Sequence, residues 1–269
     1  MSFDAELLIG PAASAAGFSL FHQAETGSTN ADAMTALARG EDRLWVVADR
    51  QSAGRGRQGR GWVSPKGNLY ASVALVAPCA PRFSPLLGFV AGLSLAEAII
   101  GIVPALRPVL HLKWPNDALI AGVKCAGILL EGTNLPGGRN GVVIGIGVNV
   151  AHRPEGVDQA ATALAEHGRI DRDRLFVALA DRFSANLALF DQGAGFSAIR
   201  SAWLAHALPI GTPLRVRPPQ GEKHGRFAGI DTEGALLLET ESGIETLLVG
   251  DVFALADDLS PERALREGA

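Results

Sequence analysis

Arg50-Gln-Ser-Ala-Gly-Arg-Gly-Arg-Gln-Gly-Arg-Gly-Trp62 places four glycines, four arginines and one indole in thirteen consecutive positions. Extended to Lys66, the segment carries five positive charges and no acid, in a chain of net charge −4. Such an excess either faces an anion or spreads into solvent. Glycine, without Cβ, accepts φ > 0 and lets backbone N–H groups turn inward on an anion. Arginine adds forked, permanently charged donors suited to carboxylates and phosphates. No aliphatic side chain lies between Ala53 and Trp62, so Ser52 to Gly61 is expected to stay open until a ligand orders it.

This stretch also decides what the fold is not. Gly54-Arg-Gly-Arg-Gln-Gly59 spells the dinucleotide-binding G-x-G-x-x-G. That motif needs a helix directly after it and an acid about twenty residues on. Trp62, Pro65 and Gly67 interrupt any helix, and no acid occurs between Asp49 and Glu97. A dinucleotide fold is excluded. A phosphate-binding P-loop is excluded too, because no Gly-Lys-Ser/Thr closes the loop. An Arg-Gly contact to nucleic acid stays open on these residues alone, although a pI near 5.9 is wrong for a domain-wide basic face.

Outward from the loop, the chain reads as an α+β fold. Phe18 to Ala24, Leu44 to Ala48, Asn68 to Val76, Val109 to Trp114, Ala118 to Ile120, Val123 to Leu130 and Val142 to Val150 are predicted strands. Helices are expected after Ser28, near Leu86–Ile102, from Asp171 and over Phe196–Ala207. At Pro209-Ile-Gly-Thr-Pro213 the composition changes. Short alternating strands follow at Leu214–Val216, Arg226–Ile230, Ala235–Glu239 and Glu245–Val249, the pattern of a small β-barrel leaning on its larger neighbour. The expected domains are 1–208 and 209–269, with a polar, frayed tail from Asp257.

Composition removes other classes. At 48% hydrophobic and 19% charged residues the chain is globular, not disordered. Phe83 to Leu106 is long and apolar, but Glu97 at its centre would cost about 2.5–3.5 kcal/mol in a bilayer. A helix buried on a sheet fits better, so no membrane partner is expected. Cys79 and Cys125 lie in apolar runs and read as buried free thiols. No Cys/His spacing makes a zinc site. The acidic start lacks the form of a signal peptide, and the setting is expected to be cytoplasmic.

Four further clusters attract attention, each with a plain local reading beside it. Ser28, Thr29 and Asn30 can simply cap the next helix. Lys113-Trp-Pro-Asn-Asp117 joins a cation, an indole, an amide and a carboxylate at a strand end, where an Asx-turn with a surface ion pair would also serve. Lys124 interrupts an apolar strand; alternation puts it on the face of Ala126 and Ile128, where it must reach out to solvent or meet an anion. Gly145 and Gly147, inside a strand, mark close approach of a ligand or another part of the chain.

Taken together and in order, Ser28-Thr-Asn30, Gln51-x-Ala-Gly-Arg-Gly-Arg-x-Gly-Arg-x-Trp62, Lys113-Trp-Pro-Asn-Asp117, Lys124-x-Ala-Gly-Ile-Leu-x-Glu131 and Gly145-Ile-Gly-x-Asn149 closely resemble the biotin protein ligase family (biotin–[acetyl-CoA-carboxylase] ligase). The resemblance reaches about Phe253 through Gly229-Ile-Asp and Asp231-Thr-Glu-Gly-Ala-Leu-Leu. It implies a catalytic domain related to class II aminoacyl-tRNA synthetases, with a C-terminal SH3-like barrel. It also implies a two-step reaction: biotin and MgATP give biotinyl-5′-AMP, then a lysine of a biotin carboxyl carrier protein takes the biotin.

By that resemblance Ser28, Thr29, Asn30 and Gln51 serve biotin, Gly54, Arg55, Gly56 and Arg57 wrap biotin and adenylate, and Lys124 reaches carboxylate and α-phosphate oxygens. Lys124, Arg55 and Arg57 are the expected catalytic groups. Gly127 and Gly145 keep the pocket wall thin. Trp62 offers adenine a face, Lys113, Asn116 and Asn149 serve the nucleotide, and Asp117 serves Mg²⁺. Some relatives carry an N-terminal winged helix-turn-helix. Here 26 residues precede Gly27, too few for one, so no DNA partner is expected. A homodimer through an exposed sheet edge is possible on this reading. Val249-Gly-Asp251 departs from the Gly-Glu of many relatives. A lipoate–protein ligase of the same fold is the alternative reading, and a non-catalytic nucleic-acid binder is the alternative from another class.

Overall fold

A computed structural model describes residues 7–154, 160–219 and 221–254. The short helix α1 (Pro11–Ala15) leads to strand β1 (Ser19–Thr26), helix α2 (Thr29–Ala38) and strand β2 (Leu44–Gln51). β1 pairs parallel to β2, and α2 is the crossover that a parallel pair requires. β3 (Leu69–Val76), the core helix α3 (Leu87–Ile102), β4 (Leu110–Lys113), β5 (Asp117–Ile120), β6 (Val123–Leu135) and β7 (Arg139–Val148) follow. They complete a seven-stranded mixed sheet of order β1-β2-β3-β7-β6-β5-β4. The expected strands all appear, with shifted ends. β6 runs five residues past the expected Leu130 because it pairs with β7 all the way to Leu135↔Arg139. The hairpin closes through Gly137 and Gly138, at φ 77 and 73.

One expectation fails for a local reason. The pairing of β5 with β6 steps from Ala118↔Ala126 to Leu119↔Lys124, leaving Cys125 as an extra residue. Such a bulge breaks the alternation. A Cβ built on Gly127 would lie 3.4 Å from Lys124 Nζ, so the lysine shares the face of Gly127, not that of Ala126 and Ile128.

Helices α4 (Arg172–Phe190) and α5 (Phe196–Leu204) cover one face of the sheet together with α3. Asp171 caps α4 by accepting a bond from the Arg174 N–H at 2.9 Å. The aromatic face of α4 is core: Phe176 and Phe183 meet Trp45 of β2 edge to face at 5.7 and 5.4 Å. On α3, Phe89 meets Phe196 and Trp203 of α5 at 5.4 and 5.2 Å. Pro81–Ile102 is long and apolar enough to cross a membrane, but most of it is buried between these helices and the sheet. The opposite face carries α2 over a small cluster of Ala33, Leu37, Val46, Ala74 and Val143. Beyond the N-terminus of α2 that face is open, and the site forms there.

The C-terminal strands β8 (Pro213–Arg217), β9 (Lys223–Ile230), β10 (Leu236–Thr240), β11 (Gly243–Leu247) and β12 (Asp251–Ala254) make an antiparallel sheet of order β11-β10-β9-β8-β12. The sequence reading missed β12, which is only four residues long. As expected, this sheet leans on the larger unit: Leu214, Val216, Ile230 and Leu236 belong to the same hydrophobic core as α3. Trp114 Nε1 donates to the Gly234 carbonyl at 3.0 Å, and Arg200 Nε to that of Ile230 at 2.7 Å. The tail from Asp257 lies outside the described residues.

Candidate active site

A cavity of about 690 Å³ opens where the start of α2, the glycine–arginine loop, the β4–β5 turn, β6, β7 and β12 meet. Its floor is built from glycines. Gly147 of β7 pairs with Gly127 of β6, so two neighbouring strands present no side chain there. The Trp62 indole fills that space: a Cβ on Gly147 would fall 2.7 Å from its Nε1, and one on Gly127 3.2 Å from its ring. The Nε1–H is buried against this floor without an acceptor among the described residues. Gly145 admits a different group, since a Cβ there would overlap Asn30 Oδ1 at 2.0 Å.

The first turn of α2 is held by more than capping. Ser28 occupies the N-cap without a side-chain cap bond, and Thr26 Oγ1 secures the entry by donating to Asp32 at 2.6 Å. Gln51 Oε1 accepts from Thr29 N at 2.9 Å and lies 3.1 Å from Thr29 Oγ1. Ser72 Oγ of β3 lies 2.7 Å from Thr29 Oγ1 and donates to Asn30 Oδ1 at 2.6 Å. Asn30 Nδ2 donates to Glu131 Oε2 at 2.7 Å. Ser28, Thr29 and Asn30 are all buried. The capping reading is therefore too small, and the Asn30 amide is spent on protein partners rather than free for a ligand.

Across the cavity Asp117 draws two lysines together. Lys124 Nζ lies 2.6 Å from Oδ1 and Lys113 Nζ 3.0 Å from Oδ2. Burial alone would raise the Asp117 pKa, but the Lys113 and Lys124 ammonium groups outweigh it and hold the carboxyl below its ordinary value. Lys124 thus meets an anion rather than reaching for solvent, and its ammonium also lies 5.5 Å over the Trp62 ring. Lys113 Nζ donates to the Val252 carbonyl at 2.7 Å, so this lysine ties β4 to β12. The expectation that Asp117 serves Mg²⁺ does not fit this geometry. Its charge is already met twice over by ammonium groups. No group of three His, Cys, Asp or Glu residues suited to a metal occurs among the described residues.

The loop folds back on itself as a narrow turn. Gly56 N donates to Arg60 O at 2.7 Å and Trp62 N to Gly54 O at 2.9 Å, with Gln58 and Gly59 at φ 56 and 72. Gly54 is where the strands of the loop cross: a Cβ would sit 2.5 Å from the Trp62 carbonyl. Arg55 Nη2 reaches both Glu131 oxygens at 3.4 Å. Arg57 donates to Asn116 Oδ1 at 3.1 Å and to Gly250 O at 3.4 Å, and Arg60 pairs with Asp251 of β12. Asn116 and Asn149 give their Nδ2 groups to the Ile128 and Thr162 carbonyls at 2.6 and 3.1 Å.

Every residue singled out in the sequence lines this cavity except Gly54, which shapes the loop behind it. Glu131, Ser72, Gly147, Arg60 and Asp251 were not assigned. A trace of Glu131 lay in the Lys124–Glu131 motif, and one of Gly147 in its place inside a strand.

Comparison with known proteins shows what the chain is similar to. The biotin/lipoate A/B protein ligase family pattern matches residues 23–149, and the biotin protein ligase C-terminal domain pattern matches residues 210–255. The chain is 39% identical over 238 residues to a biotin–[acetyl-CoA-carboxylase] ligase of Paracoccus denitrificans, covering 86% of this chain and 98% of that one. It is 35% identical to the bifunctional ligase/repressor BirA of Bacillus subtilis over 77% of this chain and 65% of the relative. Among solved structures, the biotin protein ligase from Aquifex aeolicus in complex with biotin and ATP superposes with a TM-score of 0.73 at 31% identity, over 87% of this chain and 97% of that one.

Proposed function

The chain belongs to the biotin protein ligase family, and on that footing we propose how its own residues carry the reaction of a biotin–[acetyl-CoA-carboxylase] ligase. Biotin and ATP are its substrates. In the first step a biotin carboxylate oxygen attacks the α-phosphorus of ATP, the bond to the β-phosphate oxygen breaks, and pyrophosphate leaves. In the second a carrier lysine amine attacks the acyl carbon, AMP leaves and the amine loses a proton.

A carboxylate is a weak nucleophile, and bringing it to a polyphosphate opposes two anions. The task is charge neutralisation and alignment rather than a covalent enzyme intermediate. Lys124, Arg55 and Arg57 supply the charge. Ser28, Thr29 and Gln51 give the ureido ring fixed donors and acceptors, with Asn30 supporting them from behind. Trp62 offers a face to the adenine end. Asn116 and Asn149 flank the nucleotide. Lys113 acts through Asp117 and β12. Mg²⁺ arrives on the ATP phosphates as part of the substrate, not as a resident ion.

The observation that carries this reading is the convergence of Lys124 and the loop arginines on one glycine-floored cavity. The lipoate ligase and nucleic-acid alternatives are not favoured, since the C-terminal pattern is that of biotin ligases and the arginines point into a pocket. We assign residues 1–208 to the catalytic domain and 209–269 to the small domain. The former is read as class II synthetase-like, the latter as SH3-like. A biotin carboxyl carrier protein is the acceptor in this reading. A cytoplasmic setting accords with two buried free thiols, and a homodimer through a sheet edge is a further possibility to test by sedimentation.

The test incubates the protein with biotin, MgATP and an apo carrier domain, with lipoate in a parallel tube, and follows carrier mass. A biotin-dependent mass gain is expected. None, or a gain with lipoate alone, overturns the reading.

A further inference from the structure

Glu131 has no part in the reaction as described, yet two of its neighbours belong to opposite walls of the site. It lies on β6 on the same side of the strand as Gly127, four residues on, with its side chain 30% exposed. One oxygen accepts from the Asn30 amide at 2.7 Å; both lie 3.4 Å from Arg55 Nη2.

The first contact decides how the biotin wall is wired. A carboxylate only accepts, so it fixes which end of the Asn30 amide faces it. Oδ1 is then turned to Ser72, whose single hydroxyl proton must go there. With that proton committed, the Thr29 hydroxyl turns its own toward Ser72 Oγ at 2.7 Å and the Thr29 N–H carries the network to Gln51, whose Nε2 donates to Ser64 Oγ at 3.0 Å, and Ser64 Oγ donates to Trp62 O at 2.9 Å. Both ends of the glycine–arginine loop, Arg55 and Trp62, are therefore bonded to one network that passes beneath the cavity.

The second contact is of a different kind. Arg55 is half exposed and its pairing is long, so the bond is weak and exchangeable. A substrate carboxylate or phosphate offers the same chemistry at shorter range.

We propose that Glu131 is a positioning residue: it fixes the Asn30 amide and parks Arg55, releasing that arginine to the substrate anion. The inference rests on the biotin-ligase reading for the identity of the anion. The parking contact itself does not depend on it.

Two variants separate the parts. Glu131→Gln keeps an acceptor for Asn30 and removes the charge that holds Arg55. Glu131→Ala removes both. The free Glu131→Gln enzyme is expected to be cut by trypsin within Arg55–Arg60 about three- to fivefold faster than wild type, the effect of losing one exposed ion pair. With its competitor gone, the variant's KM for biotin should fall by a similar factor at unchanged kcat. Glu131→Ala should instead raise that KM, because the Asn30 amide is free to turn. Equal tryptic rates and equal KM for Glu131→Gln and wild type overturn the proposal, as does a Glu131→Ala enzyme that matches Glu131→Gln in KM. A wild-type enzyme inactive on biotin would sink the ligase reading, while the tryptic comparison would still decide the parking contact.

Discussion

Two cationic regions face the same cavity and are built in opposite ways. Lys113 and Lys124 stand on strands around a buried carboxylate, with Lys113 and Asp117 nearly sealed from solvent. Arg55, Arg57 and Arg60 stand on a glycine-rich turn, and their partners Glu131, Asn116 and Asp251 come from three separate elements. The first region is held by desolvated charge, where losing one partner leaves the other uncompensated. The second is held by contacts of half-exposed arginines such as Arg55, which substrate anions can replace. One keeps a charge at a fixed point; the other can open to admit a ligand and close around it.

The largest expected effect breaks the fixed side. Asp117→Ala leaves two ammonium groups facing each other and should cost about 3–5 kcal/mol of stability, read from denaturant midpoints. An enzyme of wild-type stability would show that the buried pair does not hold the region. The same carboxyl gives a pH signature. Its folded pKa lies below the ordinary 3.8, so its contribution is complete above the unfolded value and is lost as pH falls through the folded one. Stability should thus owe no loss to this group between pH 7 and about 5. The acid-side fall should be shallower in Asp117→Asn.

Lys124→Ala comes next. It removes the charge that faces the reacting oxygens and should slow single-turnover adenylation about 100-fold or more. Unchanged adenylation would mean that Lys124 serves Asp117 alone. Gly147→Ala attacks the meeting point of the two regions, because its Cβ would press on the Trp62 indole at 2.7 Å. A penalty of about 1–3 kcal/mol is expected, appearing as a raised KM for ATP and altered tryptophan emission. Unaltered emission would show that the indole does not rest on Gly147. The smallest effect falls on the loop. Arg57→Gly removes one of several exchangeable contacts, and biotinyl-adenylate should dissociate about five- to tenfold faster. An unchanged rate would remove Arg57 from the wrapping role.

The sequence made the fixed region legible as residues but not as geometry. The Lys113–Asp117 pair could be read from its spacing, yet the approach of Lys124 to Asp117 depends on the extra residue Cys125, and a bulge leaves no mark in an apolar run. The loop was the reverse case. Its composition announced an anion site at once, while Glu131 and Asp251 pair with it from 76 and 191 residues away. Separations of that size carry no local signal. Gly145 and Gly147 could be read as points of close approach, but not that an asparagine and an indole are what approach. The strand β12 was missed because four residues give too little alternation to count, although it delivers the aspartate that holds Arg60.

Amide hydrogen exchange on the free enzyme, and again with biotin and MgATP, tests the division between the two regions most directly. Amides of residues 52–61 should exchange fast in the free enzyme and gain protection on ligand binding, while those of β4, β5 and β6 remain protected in both. Full protection across 52–61 in the free enzyme, or strands around Asp117 that open as readily as the loop, would contradict it.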